Sequence, residues 1–289
     1  MGLDLHTHSI YSDGALSPEE IVDTAIGLGL SAVSITDHDN VLAFDYARAQ
    51  AAKRADETGT SPIEVVPGIE INTIHEKYEV HVLGYFFDQN NRDLLDMISY
   101  QQHARVQQIT QIVENLNKVA KIRITMNDIT SLVKEGGSIG RPHIARAIVN
   151  VGGVSNVIEA YKKYINDEAP TYIQRKTVSP HEAVETIYEA RGIPVLAHPH
   201  DLVVTDDLVK ELMNYGLRGL EVYHRRHSPA MIEYFSSIAE KYNLIMTGGS
   251  DCHGTRVSNQ LFMGRTHVPD WVLRELRNEK NRLEIASAN

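Results

Sequence analysis

Fourteen histidines in a chain of 289 residues, most of them beside carboxylates or other histidines, make metal chemistry the first thing to look for. The candidates are His6-Thr7-His8, Asp13, Thr36-Asp37-His38, Gly68-Ile69-Glu70, His81, His198-Pro199-His200, His224 and Ser250-Asp251-Cys252-His253, and nearly every group follows a short apolar run. Residues two apart in extended backbone point to one side, so His6 with His8, and Asp251 with His253, can each pinch an ion. Mixed imidazole and carboxylate donors suit Mn, Fe or Zn better than Ca or Mg. No single histidine decides this; the coincidence of so many at the ends of apolar runs does. His75, His103, His181 and His267 stand outside the pattern and read as surface or packing residues. Asp4 and Asp37 read as carboxylates that orient an imidazole. Asp13, in the loop after the first pair, either caps a turn or completes a metal site. Cys252, between two candidate ligands, points the other way and reads as packing.

Two basic clusters could handle an anion. In Gly140-Arg141-Pro142-His143 the proline marks a helix start, and a helix N-terminus flanked by Arg141 and His143 suits a phosphate. The second cluster is His224-Arg225-Arg226-His227-Ser228, where His227 can bind phosphate or protonate a leaving oxygen. His200 and Arg175 are candidates of the same kind.

The elements that must position these groups alternate between strand and helix. Strands are expected at 2–5, 32–35, 63–66 and 80–87. Ser17-Pro18-Glu19-Glu20 is a capping box that starts a helix to about residue 28, and a second helix covers 41–57. The 72–79 link is too short for a crossover helix, so the third and fourth strands read as a hairpin. From about 91 to 164 helix follows helix, too long for an ordinary βα loop. Residues 91–175 therefore read as an inserted helical cap on a barrel made from 1–90 and 176–289. Ser179-Pro180-His181-Glu182 repeats the capping box. Strands follow at 193–197, 220–223 and 244–248, with helices at 206–215, at 229–242 and from 270. Seven short strands among helices predict an α/β protein, either a parallel barrel or a doubly wound sheet. In a barrel all carboxyl ends open on one face, where distant ligands converge.

Composition narrows the classes. With 42% hydrophobic and 23% charged residues the chain reads as globular. No apolar run nears the roughly 18–20 residues that span a bilayer, so an integral membrane protein is not expected. A formal net charge of −10 argues against a broad grip on duplex nucleic acid and leaves small anions or short oligonucleotides. One cysteine makes no internal disulfide, and the start MGLDLHTHS lacks a signal-peptide pattern, so the expected location is cytoplasmic.

Asp4-Leu5-His6-Thr7-His8-Ser9, Thr36-Asp37-His38, Leu196-Ala197-His198-Pro199 and Ser250-Asp251-Cys252-His253 resemble the four motifs of the PHP (polymerase and histidinol phosphatase) superfamily. The resemblance spans the chain, insertion included. It is nearest to a branch of small phosphoesterases acting on nucleoside monophosphates, 3′,5′-bisphosphonucleotides or short oligonucleotides. It implies a distorted (β/α)7 TIM-like barrel holding three divalent transition metals (Mn, Fe or Zn). His6, His8, Glu70 and Asp251 would hold the first ion, and Asp13, His38 and His253 the second. His81 and His198, with Glu70 bridging, would hold the third. The implied reaction is phosphate ester hydrolysis by water that the metals ionise, which requires no serine or cysteine nucleophile. Glu70 and Asp251 are then catalytic, with His227 as acid or phosphate ligand; Arg141, His143, His200 and Arg175 bind substrate. An amidohydrolase-type barrel would call for a bridging lysine and a lone aspartate on the last strand, where this chain adds His253. Histidinol phosphatase, or a non-catalytic nucleotide- or metal-sensing module, is the alternative.

Overall fold

The computed structural model describes residues 2–202, 205–254 and 261–288. Seven strands join in chain order into one sheet: β1 (Gly2–Thr7), β2 (Leu30–Ile35), β3 (Glu64–His75), β4 (Tyr78–Tyr85), β5 (Ile193–Leu196), β6 (Gly219–His224) and β7 (Ile245–Gly249). The sheet curls until its edges nearly meet, so the fold is a barrel and not a doubly wound sheet. Thr7 bridges to Cys252 just past β7, and the His8 amide donates to the Cys252 carbonyl at 2.9 Å. That closure depends on Gly249, where a Cβ would stand 2.4 Å from both the nitrogen and the Cβ of His6. Across the interior, the Tyr85 hydroxyl donates to the Leu5 carbonyl at 2.9 Å.

All neighbours run parallel except β4, which is antiparallel to both β3 and β5. The cause is the expected hairpin: only Glu76 and Lys77 separate the two strands, with Glu76 at φ 56°. Reversal puts the amino-terminal half of β4, which carries His81, at the mouth where the other strands end. The third strand also outruns its expected end at residue 66. Ile69, Ile71 and Thr73 continue the buried alternation, so Glu70 lies inside a strand and not beyond it.

Helices cover the barrel. α1 (Pro18–Gly27) begins with the reciprocal Ser17–Glu20 capping box. α2 (Ala43–Thr58) buries Ala43, Ala47, Ala51 and Ala55, a small-residue stripe at i, i+4 spacing that lets two helices approach closely. α3 (Arg92–Lys118), α4 (Met126–Thr130), α5 (Arg141–Asn150) and α6 (Val157–Ala160) make up the stretch between β4 and β5, followed by α7 (Pro180–Glu189). α8 (Thr205–Met213), α9 (Pro229–Tyr242) and α10 (Trp271–Ala288) complete the set.

At 27 residues α3 is about 40 Å long and serves two cores. Leu94, Met97 and Ile98 pack with β3, β4 and α7, whereas Ile109, Ile112, Val113 and Leu116 pack with α4, α5 and the chain returning through Ile165. Its middle turn carries Gln101 and Arg105, both buried and polar. No helix among the described residues is long and apolar enough to cross a membrane.

Candidate metal centre

Glu70 is fully buried at the middle of the mouth, and its two oxygens face different partners. Oε2 lies 3.3 Å from Nε2 of His6, 3.3 Å from Nε2 of His8 and 2.9 Å from Nδ1 of His38. Oε1 lies 2.8 Å from Nδ1 of His81 and 3.0 Å from Nε2 of His198. Asp251 Oδ1 stands 3.3 Å from His8 Nε2 and 3.7 Å from His6 Nε2. Asp13 approaches His253 at 3.3 Å and His38 at 3.9 Å. All nine expected ligands thus meet, although they come from residues 6 to 253. Four tight groups emerge: His6, His8 and Asp251; His8, Asp13, His38 and His253; His6, Glu70 and His198; His38, Glu70 and His81. His8 therefore reaches the set expected to be Asp13, His38 and His253 alone, and His6 reaches the His198 set.

Burial alone would push the Glu70 carboxyl up, but His38, His6 and His81 more than offset it and hold it well below the usual carboxylate range. Asp251 is likewise held low, burial being outweighed by His224 and His8. Burial, with the charges of His253 and His38, pulls His8 down to about 3. A neutral His8 then has two ionised carboxylates near its Nε2, and neither of its ring nitrogens has a hydrogen-bond partner. A buried donor set in that condition fits a cation at the meeting point. His198 at φ 20° and Asp251 at φ 51° hold left-handed backbone, strain of a kind that the surrounding structure must support.

Residues behind the ligands differ in part from expectation. Asp4 orients no imidazole: it accepts the amides of Ser250 and Gly264, each at 2.8 Å, and so ties β1 to the chain after β7. Asp37 accepts the Ser9 amide and the hydroxyls of Ser9 and Ser12, holding the turn that leads to Asp13. The orienting carboxylate is Glu221, which the sequence reading passed over within an apolar strand. It faces His6 Nδ1 at 2.9 Å and accepts the His198 amide at 2.7 Å. Burial raises its pKa, but His6 prevails and the group sits at about 2. The missed signal was a glutamate in the Leu220–Val222 run, where an unpaired acid would not be buried. Cys252 is buried with Ile21, Val33 and Ile35, as its alternation with the ligands requires.

Two hollows open over the centre. A chamber of about 250 Å³ is lined by His38, Glu70, His81, His198, His200, Arg226, Asp251 and His253. A basin of about 150 Å³ is lined by Asp13, Asn72, Gln108, Arg105, Arg141, Arg175, Tyr161 and Tyr172. His38, Glu79 and His81 belong to both walls.

A model of the PHP domain matches residues 4–176. The chain belongs to the PHP family. A 5′-3′ exoribonuclease of Haemophilus influenzae is 31% identical over 254 residues, 86% of this chain and 89% of that protein. A 3′,5′-nucleoside bisphosphate phosphatase of Chromobacterium violaceum is 29% identical over 255 residues, 87% of each. Among solved structures, one from Bifidobacterium adolescentis described as a metal-dependent phosphoesterase superposes with a TM-score of 0.85 at 32% identity, over 96% of both chains. An amidohydrolase of Chromobacterium violaceum, with sulfate bound and no metal, gives 0.84 at 28% identity, over 96% of this chain and 97% of that one. This PHP protein is a metal-dependent phosphoesterase.

The expected substrate ligands of the PHP protein divide. Arg141 lines the basin, paired with Glu79 at 2.6 Å and Asp167 at 3.1 Å. Arg175 lines it too, bonded to Asp39 at 3.2 Å and to the Asn72 carbonyl at 3.2 Å. His200 is on the chamber wall, together with Arg226. His143 turns back on its own helix, where Nδ1 accepts the Gly140 amide at 3.1 Å. His227 lines neither hollow and stands behind His200 and His224. Its Nδ1 donates to the Val222 carbonyl at 2.7 Å, which leaves a lone pair on Nε2 of the neutral ring. Arg105, which sequence reasoning missed, lines the basin and bonds Asp39 through Nε at 2.7 Å and Asn72 through Nη2 at 2.7 Å.

Proposed function

We propose that this enzyme hydrolyses phosphate monoesters of nucleotides, either nucleoside 5′-monophosphates or 3′,5′-bisphosphates, or acts on short 5′-phosphorylated oligonucleotides. The observation that carries this reading is the pair of hollows with one common wall. A chamber rich in metal donors suits a phosphate, and a basin of arginines and tyrosines suits the rest of a nucleotide. The relatives' names support it, as does the sulfate, a phosphate mimic, in the Chromobacterium violaceum structure.

His6, His8, Glu70 and Asp251 would hold one ion, Asp13, His38 and His253 a second, and His81 and His198 with Glu70 a third. Ions of the Mn, Fe or Zn kind would neutralise phosphate oxygens and acidify water for in-line attack. The chain's own residues do the positioning. Glu221 holds the His6 ring by Nδ1, which leaves Nε2 turned to the centre. Asp37 steadies the turn before Asp13. Arg105 and Arg175, locked on Asp39, keep fixed positive charge in the basin wall, while Tyr161 and Tyr172 offer ring faces to a base. Arg141 would exchange one of its carboxylate partners for a substrate oxygen. Residues 91–175 act as the cap that supplies these groups to the barrel.

Manganese-loaded protein assayed against nucleoside monophosphates, 3′,5′-bisphosphates, 5′-phosphorylated oligomers and histidinol phosphate tests the reading. A kcat/KM for a nucleotide or oligomer about tenfold or more above that for histidinol phosphate supports it. Preference for histidinol phosphate would make the protein a histidinol phosphatase. Nucleotide binding with no phosphate release from any substrate would make it a sensing module.

A further inference from the structure

Three more histidines meet beside the main centre. His200, His224 and His227 each offer a ring nitrogen, all within 4.8 Å of one another. His200 comes from the turn after β5, and His224 and His227 from the end of β6 and the bend before α9. Their ring centroids are 5.4, 5.3 and 5.2 Å apart. His224 and His227 are only 2% and 7% exposed, and Nε2 of each lacks a hydrogen-bond partner.

The orientation of His227 decides what such a cluster attracts. A carbonyl oxygen only accepts, so the 2.7 Å contact with Val222 puts the proton of the neutral ring on Nδ1 and leaves a lone pair at Nε2. A lone pair repels a phosphate oxygen and attracts a cation. Beyond them lies a carboxylate: Asp251 Oδ2 is 3.6 Å from His224 Nε2, while Oδ1 faces His6 and His8. Two contacts oppose ligation: the long 3.3 Å bond from the Arg226 amide to His224 Nδ1, which a ligating ring must give up, and the Arg225 guanidinium 3.8 Å from Asp251 Oδ2.

We propose that His200, His224 and His227 form a further cation site, distinct from the nine-ligand centre and joined to it through Asp251. Three imidazoles with a fourth position open are a tetrahedral zinc donor set, whereas magnesium and calcium ask for oxygen. His200 also lines the chamber, so an ion can enter there.

Metal-stripped protein loaded with zinc chloride, desalted and counted by elemental analysis, tests this in the wild type, His227→Gln and His200→Ala. Zinc-soaked crystals of the same proteins, measured at the zinc edge, locate the ions. The wild type should carry about one zinc per chain more than either variant. An anomalous peak should stand among the three rings of the wild type alone. Glutamine can still donate to the Val222 carbonyl, and if His227→Gln fails to fold, His200→Ala decides by itself. Equal zinc counts, an empty position in the anomalous map, or phosphate bound there in zinc-free crystals would each overturn the proposal.

Discussion

The chamber and the basin share His38, Glu79 and His81, yet they are built in opposite ways. The chamber takes its donors from the mouth ends of six strands, where each short motif already carries the chemistry. The basin takes Arg105, Arg141 and Arg175 from widely separated points of the helical stretch, and each is held by a distant acid: Asp39 for two of them, Glu79 and Asp167 for the third. A metal ligand needs only its strand end and its neighbour two residues away. A substrate-facing arginine needs a partner across the fold, so its position is a tertiary property. The difference predicts that chamber substitutions abolish chemistry, while basin substitutions alter stability and substrate use.

The largest effect should come from Glu70→Gln. It keeps the shape but removes the charge shared by five histidines, so kcat should fall by orders of magnitude with the far-ultraviolet spectrum intact. Near-normal turnover in the metal-replete variant would remove Glu70 from the centre. Arg105→Ala comes next. It strips one of two cations from the fully buried Asp39 and should cost about 3 kcal/mol in urea unfolding. A loss below about 0.5 kcal/mol would show that the helical stretch is not anchored there.

A smaller effect is expected for Arg141→Ala, which removes a charge-assisted contact from the basin alone. We expect kcat/KM for a nucleotide substrate to drop on the order of ten- to a hundredfold with metal content unchanged. Equal loss of metal and activity would move Arg141 from the basin to the chamber. The smallest effect should be at Asp23, outside both hollows, where Arg54 bonds it and holds its pKa below the ordinary 3.8. The pair is more than one-third exposed, so Asp23→Asn should cost about 0.5 kcal/mol at neutral pH. A carboxyl with a depressed folded-state pKa stabilises above its unfolded value, and that stabilisation is lost as pH falls through the folded one. The difference between wild type and variant should therefore begin to shrink as pH falls below 3.8 and vanish only below the lower folded-state value, and urea melts at neutral and strongly acidic pH check it.

Much of this was legible in the sequence for physical reasons. Capping boxes at Ser17 and Ser179 and the proline at 142 mark helix starts because the chemistry that caps a helix is local. Most of the nine candidate ligands stood out because imidazoles and carboxylates at the ends of apolar runs are hard to explain otherwise, and the family resemblance implied the full set. What escaped was pairing. The roles of Asp4 and Asp37 were misjudged since carboxylates serve backbone amides as readily as imidazoles. Glu221 was hidden in an apolar strand because only its partner, His6, explains it. Arg105 was not singled out, since nothing near it in sequence announces Asp39 or Asn72. For His227, read as a phosphate ligand or acid, the sequence does not announce the Val222 carbonyl that holds Nδ1.

We propose that eight side chains gather around Glu70 and that the nine together hold three ions. Elemental analysis of manganese-reconstituted protein, in parallel with Glu70→Gln, tests it most directly. We predict about three manganese per wild-type chain and at least one fewer in the variant. One ion or fewer in the reconstituted wild type, or an unchanged count after Glu70→Gln, would contradict it.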